Sequence, residues 1–193
     1  MRIVFSTANK GKLREAAEIL GPEYEIVSPA DLGFFDDVEE TGTTFRENSA
    51  IKADFIYDRT GMDCFADDSG LEVDALGGAP GVYSARYATA GHDFDANISK
   101  LLSELADKED RKARFRCVVT LILGGEKHVF EGSCEGRIAF ERSGCGGFGY
   151  DPVFLPDACP GRSMAELSED EKNAISHRGM ALRSMAGWLK NKR

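Results

Sequence analysis

The sequence predicts an α/β fold, because strand patterns alternate with helical patterns along the first third of the chain. The apolar run at residues 2–6 precedes a segment, 10–20, whose apolar residues recur at the helical spacing i, i+3, i+4 and i+7. Further strand patterns cover residues 24–28 and 63–66. We expect these strands to form an open sheet, and such sheets bind ligands at the carboxyl ends of their strands.

The length and composition indicate one globular domain. With 193 residues, we expect a single domain over residues 1–193, with or without two lobes. Hydrophobic residues make up 42% of the chain, which is enough for a core. The net charge of −9 argues against binding to nucleic acid, although a local basic cluster is still able to hold a phosphate.

The amino terminus and the cysteines indicate a cytoplasmic protein that does not bind membranes. Met1 leads straight into a strand pattern, so we expect no signal peptide. No apolar run approaches the ~20 residues that a bilayer-spanning helix needs. The five cysteines contain no C-x-x-C pair, and we expect them to be reduced thiols.

Local signals predict where the helices begin and end. Gly21-Pro22 ends the first helix, and Thr44-x-x-Glu47 is a capping box that opens a second helix ending near Arg59 before Gly61. Asp93 is the predicted cap of an amphipathic helix over residues 93–105. A second capping box, Ser168-x-x-Glu171, precedes a final helix with an apolar stripe.

The middle of the chain has the pattern of antiparallel strands. A β-rich run at 114–123 meets the turn Gly124-Gly125, which leads into a strand at 127–131. A further strand is predicted near 134–140. We expect these strands to form a second lobe, and the strands at 2–6 and 63–66 to belong to the first.

Two adjacent carboxylates follow the apolar run Cys64-Phe65-Ala66, in the segment Asp67-Asp68-Ser69-Gly70. We expect the strand to end at this acid pair, with Asp68-Ser69-Gly70 read as an acid followed by a turn. A strand that ends in paired acids puts charge at the carboxyl edge of a sheet, where a ligand binds.

Basic residues surround the first predicted helix terminus. The loop before this helix contains Thr7, Asn9, Lys10 and Lys12, and a helix amino terminus with nearby lysines is an anion site. The loop is not a Walker A motif, because the leading glycine is missing and Leu13 follows Gly11-Lys12. Taken alone, a basic first turn that faces solvent explains the segment equally well.

Lys52 and Glu40 have a predicted functional role only if other groups of the site lie close to them. Lys52 lies near an apolar stripe in the second helix, where a lysine usually extends into solvent unless a phosphate is nearby. Glu40, next to Glu39, is a solvated loop residue unless it faces Asp68.

The segment 143–152 has an unusual composition. Four glycines around Phe148 and Tyr150 allow the backbone to approach a flat ligand closely, and Phe148 is able to stack on it. A tight loop over the core explains the glycines about as well. Lys172 and the segment Ser176-His177-Arg178-Gly179 lie near a break between two helical stretches, where side chains are able to face a ligand.

Together these clusters favour a nucleotide site. The carboxylates of Glu40, Asp67 and Asp68 suit Mg²⁺ before zinc or iron, because Mg²⁺ takes oxygen ligands and retains waters. None of the three histidines has zinc-site spacing. Lys12 and Lys52 would neutralise phosphate oxygens, which is the main demand of phosphoryl or nucleotidyl transfer. The absence of a Gly-x-Ser-x-Gly elbow makes a serine hydrolase a weak interpretation.

These motifs resemble the inosine triphosphate pyrophosphatase family, whose members hydrolyse non-standard purine nucleoside triphosphates. The resemblance runs nearly end to end and is weakest over residues 22–37 and 88–111. It is densest in six blocks that occur in the family's order: Ser6–Lys12, Glu40–Asn48, Ala66–Leu71, Gly77–Tyr87, Gly146–Pro152 and Ser176–Gly179.

The resemblance implies a role for each matching position. Thr7, Asn9 and Lys12 resemble the triphosphate-binding loop, and Lys52 resembles a second phosphate contact. Glu40 and Asp68 resemble magnesium ligands, with Asp68 also the acceptor of a proton from the attacking water. Asp67 matches a nearby acid. Ser69 resembles a substrate contact, and the base pocket is matched by Phe148, Gly149, Tyr150, Asp151, Lys172, His177 and Arg178.

The resemblance also implies a fold, a reaction and an assembly. It implies an elongated two-lobed mixed sheet flanked by helices, with the nucleotide cleft between the lobes, and a homodimer. It implies Mg²⁺-dependent hydrolysis of ITP, dITP and XTP to the nucleoside monophosphate and pyrophosphate, in preference to ATP and GTP. Donors aimed at O6 of the base would discriminate against adenine, because adenine presents an amino group there and leaves those donors unpaired.

Two alternatives remain open from the sequence. One is a pyrophosphatase directed at other modified or pyrimidine nucleoside triphosphates. The other is a nucleotide sensor without catalysis, against which the presence of both acids and both phosphate lysines speaks.

Overall fold

The computed structural model describes residues 1–36 and 38–192, which form a six-stranded mixed sheet flanked by helices. The strands are β1 (Arg2–Phe5), β2 (Glu25–Val27), β3 (Cys64–Val73), β4 (Lys112–Leu123), β5 (Glu126–Ile138) and β6 (Phe154–Pro156). The α-helices are α1 (Lys10–Leu20), α2 (Phe45–Thr60), α3 (Phe94–Glu104), α4 (Glu169–Ile175) and α5 (His177–Asn191). The predicted α/β class is confirmed.

The strand order is β2-β1-β3-β4-β5-β6. β1 lies parallel to β2, with Ile3 opposite Ile26, and parallel to β3, with Phe5 opposite Phe65. At the other edge β5 lies antiparallel to β6, with Arg137 opposite Leu155. The parallel connection from β1 to β2 runs through α1, as a strand-helix-strand unit requires.

The predicted helix boundaries are confirmed where a local signal defined them. Thr44 and Glu47 form the capping box of α2, and Gly61 ends this helix in the left-handed conformation at φ 62°. The Asp93 side chain caps α3 by accepting a hydrogen bond from the Ala96 amide. Ser168 and Glu171 form the capping box of α4.

The prediction that β3 ends before Asp67 is wrong. The strand continues to Val73, so that Asp67, Asp68 and Ser69 lie within it and the expected turn after Asp68 does not exist. The continuation has a tertiary cause, because Leu71 and Val73 are fully buried in a second apolar cluster. The acid pair nevertheless lies just beyond the end of β1, whose last pairing is Phe5 with Phe65.

The two strands predicted at 127–131 and 134–140 are one strand, β5. Buried residues alternate along it at Phe130, Cys134, Gly136 and Ile138, so the two-residue period passes through Gly132-Ser133 without a break. Phe140 lies outside the strand and is 79% exposed.

The chain separates into two compact units. The first comprises Met1–Asp68, Cys117–Gly132 and Arg178–Arg193, and one of its apolar clusters packs Phe5 and Phe65 with Leu182 of α5. The second comprises Ser69–Arg116 and Ser133–His177, and its apolar cluster packs Leu71 with Leu101 and Phe154. Assigning all of the central strands to the second lobe was therefore wrong, because Cys117–Gly132 belongs to the first unit.

Within the described residues, no helix combines the length and the apolar character that crossing a bilayer requires. The prediction of a cytoplasmic protein stays a prediction.

Candidate active site

The loop from β1 to α1 is shaped by its own side chains. The Thr7 hydroxyl accepts a hydrogen bond from the Asn9 amide (3.2 Å), and Asn9 Oδ1 accepts from the amides of Gly11 (2.8 Å) and Lys12 (3.2 Å). Asn9 is thus the N-cap of α1, a role that its residue type favours. The cap sets the direction of the first helical turn and with it the position of Lys12.

Asp67 lies between two cations of the first unit. Both of its carboxylate oxygens accept from Lys12 Nζ at 3.0 Å, and Oδ2 also accepts from Arg178 Nε at 2.9 Å. The side chain is fully buried. Burial opposes the charged form, but the charges of Lys12 and Arg178 outweigh this effect and hold the pKa of Asp67 well below its usual range.

Arg178 is buried at the start of α5 rather than exposed for a ligand. Besides Asp67 it pairs with Glu15, whose Oε2 atom is 3.5 Å from Nη1. Burial lowers the pKa of Arg178, but the charge of Asp67 more than compensates and raises it. The structure therefore places Arg178 in the first unit as the partner of Asp67, and its assignment to a base pocket stays a prediction.

Glu40 and Asp68 converge on one ammonium group. Lys52 Nζ donates to Glu40 Oε1 at 2.6 Å and to Asp68 Oδ1 at 3.3 Å. The side chains of Lys52 and Asp68 are only 15% and 12% exposed. The predicted condition for a role of Glu40, that it faces Asp68, is met.

Burial and neighbouring charges shift the pKa values of Asp68 and Lys52. Burial raises the pKa of Asp68, the Glu40 carboxylate adds to the rise, and Lys52 opposes it. For Lys52, burial lowers the pKa, but the charges of Asp68, Asp67 and Glu40 raise it overall, so the ammonium stays protonated. Asp68 is consequently a more basic carboxylate than an exposed one.

Asn48 positions the segment that carries Glu40. This fully buried residue of α2 accepts a hydrogen bond from the Gly42 amide through Oδ1 (2.8 Å), and its side chain favours the charged form of Asp68. Gly42 is required there, because a Cβ atom would lie 2.6 Å from Asn48 Oδ1. Sequence reasoning assigned neither residue a role, although both lie in a motif block.

The arrangement fits a hydrated divalent cation with oxygen ligands. Asp68 Oδ2 is buried and makes no hydrogen bond of ordinary geometry with any described residue. The described residues contain no cluster of three or more His, Cys, Asp or Glu side chains able to hold a metal. Two carboxylates with an unsatisfied oxygen suit Mg²⁺, which keeps several waters when proteins bind it.

The second unit contains a separate cluster around Asp151. This buried carboxylate accepts hydrogen bonds from Lys172 Nζ and from the Phe148 amide (2.9 Å) through Oδ2. The Lys172 ammonium also lies 4.5 Å from the centre of the Phe148 ring. Asp151 therefore holds a cation and an aromatic ring together, an arrangement that sequence reasoning did not predict in this form.

The glycines of this loop have defined structural causes. Gly147 has φ 73° and faces Asp151 so closely that any Cβ would collide with the carboxylate. Gly149 has φ 62°, a conformation that favours glycine. Tyr150 is buried and donates from its hydroxyl to the Ser84 carbonyl (2.8 Å), so it anchors the loop. Phe148 remains 60% exposed and available for stacking.

A cavity of about 710 Å³ opens on this loop. Its lining includes residues 145–149 together with His92, Asp93 and Phe94. The latter three residues fall in the stretch 88–111, which carries little of the family resemblance, so the motifs did not predict their place in the cavity.

The structure places the two remaining predicted contacts in the second unit. His177 stacks on Phe115, with ring centres 5.1 Å apart and planes 14° apart. Ser69 follows Asp68 within β3 and is partly buried. Both assignments as substrate contacts stay predictions.

Comparison with known proteins identifies the family. The sequence model of the Ham1 family matches residues 3–188. The chain belongs to the Ham1 family.

Known bacterial proteins are similar to this chain over nearly its whole length. A dITP/XTP pyrophosphatase of Christiangramia forsetii is 49% identical over 98% of this chain and 99% of its own. One of Bacillus licheniformis is 50% identical over 97% of each chain. The structure of the Staphylococcus aureus Ham1 protein matches with a TM-score of 0.94 at 40% identity over all of both chains. The predicted family is confirmed, and the first two of these bacterial relatives are both named dITP/XTP pyrophosphatases.

Proposed function

We propose that this Ham1-family protein hydrolyses the non-standard purine nucleoside triphosphates ITP, dITP and XTP to nucleoside monophosphate and pyrophosphate, with Mg²⁺ as cofactor. The observation that carries the proposal is the convergence of Glu40 and Asp68 on one cationic group, in the unit that also contains the lysine-bearing α1 terminus. The relatives named dITP/XTP pyrophosphatase support the substrate class.

The chain's residues have distinct roles in this proposal. Glu40 and Asp68 would hold Mg²⁺, which when bound neutralises charge on the phosphate oxygens. Thr7, Asn9, Lys12 and Lys52 would bind the triphosphate, and positioning with charge neutralisation is the main requirement of such reactions. Asp67 keeps Lys12 in place through its two hydrogen bonds.

The bond changes follow from attack at the innermost phosphorus. The water oxygen forms a bond to the α-phosphorus, the bond from that phosphorus to the bridging oxygen breaks, and pyrophosphate leaves with the bridging oxygen. Asp68 accepts the proton that the water loses. The family resemblance assigns this role to Asp68, and a carboxylate beside the metal is a suitable proton acceptor.

The family resemblance assigns recognition of the base to the cluster around Asp151. Phe148 would stack on the purine, and Lys172, held by Asp151, would donate to a carbonyl oxygen of the base. A donor that meets the amino group of adenine is left unpaired, which disfavours ATP. His177, Ser69 and Arg178 complete the proposed contacts.

The test measures pyrophosphate release from ITP, dITP, XTP, ATP, GTP and modified pyrimidine triphosphates, with Mg²⁺ and with a chelator. We expect turnover of the first three, dependence on Mg²⁺, and a loss of at least about 10²-fold in kcat for Asp68→Asn, since general bases contribute about that much. Asp54→Asn removes an exposed carboxylate that pairs with Lys127 and is the matched control.

Three outcomes would contradict parts of the proposal. A fully active Asp68→Asn variant would exclude Asp68 as the base. Tight binding of ITP without turnover would identify a nucleotide sensor instead. Turnover confined to modified pyrimidine nucleotides would show that the substrates are pyrimidine rather than purine nucleotides.

We further propose that the protein is a homodimer. Light scattering of the purified protein measures its mass in solution and checks this proposal.

A further inference from the structure

Lys52 occupies the point at which the two proposed metal ligands meet. We propose that Lys52 is a positioning residue that holds the place of the divalent cation between Glu40 and Asp68 in the nucleotide-free protein, and that the cation binds only by displacing it. This inference rests on the proposed function, since it takes Glu40 and Asp68 as the metal ligands.

The contacts of Lys52 are those of a counterion rather than of a free phosphate-binding group. Its Nζ atom donates to Glu40 Oε1 at 2.6 Å and to Asp68 Oδ1 at 3.3 Å, and the side chain is 15% exposed. It lies one helical turn after Asn48, which holds the Gly42 segment, so α2 positions both the cation and the loop that carries Glu40.

The surrounding charges make this counterion necessary. Asp67 does not need Lys52, because Lys12 and Arg178 already pair with it. Among the described residues, Lys52 is the one basic side chain within ion-pair distance of Glu40 or Asp68. In the absence of a metal, Lys52 neutralises the repulsion between these two carboxylates, and a bound divalent cation would take over that neutralisation.

Lys52 and a metal ion would compete for the carboxylate oxygens of Glu40 and Asp68, and this competition has a functional consequence. A metal ion arriving alone must separate Lys52 from both carboxylates and leave a buried ammonium without a partner, which is costly. When the metal arrives with a triphosphate, the phosphate oxygens supply the displaced ammonium with a new partner. The protein should therefore bind metal weakly alone and well together with a nucleotide.

The test is the affinity of the nucleotide-free protein for Mn²⁺ and Mg²⁺, measured by titration calorimetry and by the electron paramagnetic resonance signal of free Mn²⁺. We expect Lys52→Met to bind Mn²⁺ about tenfold more tightly than the wild type or better, because a positive charge at the site is removed. Lys127→Met, which removes a lysine paired with the exposed Asp54, is the matched control and should leave the affinity unchanged.

An unchanged or weaker affinity in Lys52→Met would overturn the inference. Lys52→Gln, which keeps a polar side chain, repeats the measurement, and circular dichroism checks that both variants are folded. Glu40→Gln separates the two proposals: if it does not weaken Mn²⁺ binding, the proposed ligands are wrong. If it does weaken binding while neither Lys52 variant tightens it, only the role of Lys52 is wrong.

Discussion

Asp67 carries a full charge inside the protein, and its two partners, Lys12 and Arg178, determine how that charge affects the free energy of unfolding. Lys12 and Arg178 satisfy both carboxylate oxygens. Replacing a buried ion pair by apolar groups is often neutral, whereas removing one member leaves an uncompensated buried charge. Arg178 is buried as well, and after the loss of Asp67 its charge would still have Glu15 as an acidic partner at 3.5 Å.

We expect Asp67→Asn to lower the free energy of unfolding by about 3–5 kcal/mol, the cost of breaking one buried ion pair. Urea denaturation followed by circular dichroism measures this difference. Asp54→Asn, which breaks the exposed pair with Lys127, should change the free energy of unfolding by about 1 kcal/mol or less. Equal effects of the two variants would contradict the structural role assigned to Asp67.

The difference in unfolding free energy between the wild type and Asp67→Asn should depend on pH in a defined direction. The pKa of Asp67 is lower in the folded state than the value of about 3.9 in an unfolded chain. Its stabilising contribution is therefore present above about pH 4 and is lost as the pH falls towards the folded-state pKa. The gap in unfolding free energy between wild type and Asp67→Asn should narrow on acidification from about pH 7 to about pH 3.

The amino terminus of α2 is the element on which the acidic half of the site depends. Glu47 accepts hydrogen bonds from the amides of Thr43 (2.7 Å) and Thr44 (3.1 Å), and Asn48 accepts from the Gly42 amide. These bonds satisfy amide groups that a helix terminus otherwise leaves free. They also hold the chain that enters the helix, which is where Glu40 lies.

Gly42→Ala should damage the site while leaving most of the fold intact. The new Cβ would lie 2.6 Å from Asn48 Oδ1 and 2.7 Å from Glu47 Cβ, so the segment that carries Glu40 must shift. We expect a loss of about tenfold or more in kcat/KM for ITP, since small displacements of catalytic groups have effects of about that size or larger.

Gly187→Ala is the control for that substitution. Gly187 lies on the exposed side of α5 and has open space around its Cα atom. Alanine there should leave kcat/KM unchanged and raise the unfolding free energy by about 0.5–1 kcal/mol, because glycine is unfavourable inside a helix. Wild-type activity in Gly42→Ala would show that the loop does not depend on this close contact.

Across the whole molecule, the five thiols are distributed between core and surface. Cys64, Cys117 and Cys134 are buried, Cys159 is partly exposed and Cys145 is exposed. Burial raises the pKa of the Cys64 thiol to about 12 and that of Cys134 to about 11. Since the thiolate is the reactive form, these buried groups should be inert in the folded protein.

Titration with a chromogenic disulfide reagent measures this distribution. In the native protein we expect Cys145 to react fastest and Cys159 more slowly, while the three buried thiols react only after unfolding in denaturant. Cys145→Ser, at an exposed loop position, should remove the fast phase. A fast reaction of Cys64 or Cys117 would contradict the packing of the first unit's core, to which both contribute.

Local signals in the sequence determined the helices and their ends. The capping box at Thr44 and the left-handed Gly61 act through bonds within a few residues, so pattern and propensity suffice to predict α2. The end of β3 was not predictable in this way. Ser69 and Gly70 have the composition of a turn, but the burial of Leu71 and Val73 against distant residues keeps the strand going.

By itself the sequence determined the α/β class, the family and the residue types of the candidate site, because those depend on short patterns that occur in one order. Only the tertiary structure decided which charges meet. It paired Asp67 with Lys12 and Arg178, it brought Lys52 between Glu40 and Asp68, and it set Asp151 against Lys172. These pairings join residues 12 to 111 positions apart, and a pattern that extends over a few residues carries no information about such distances.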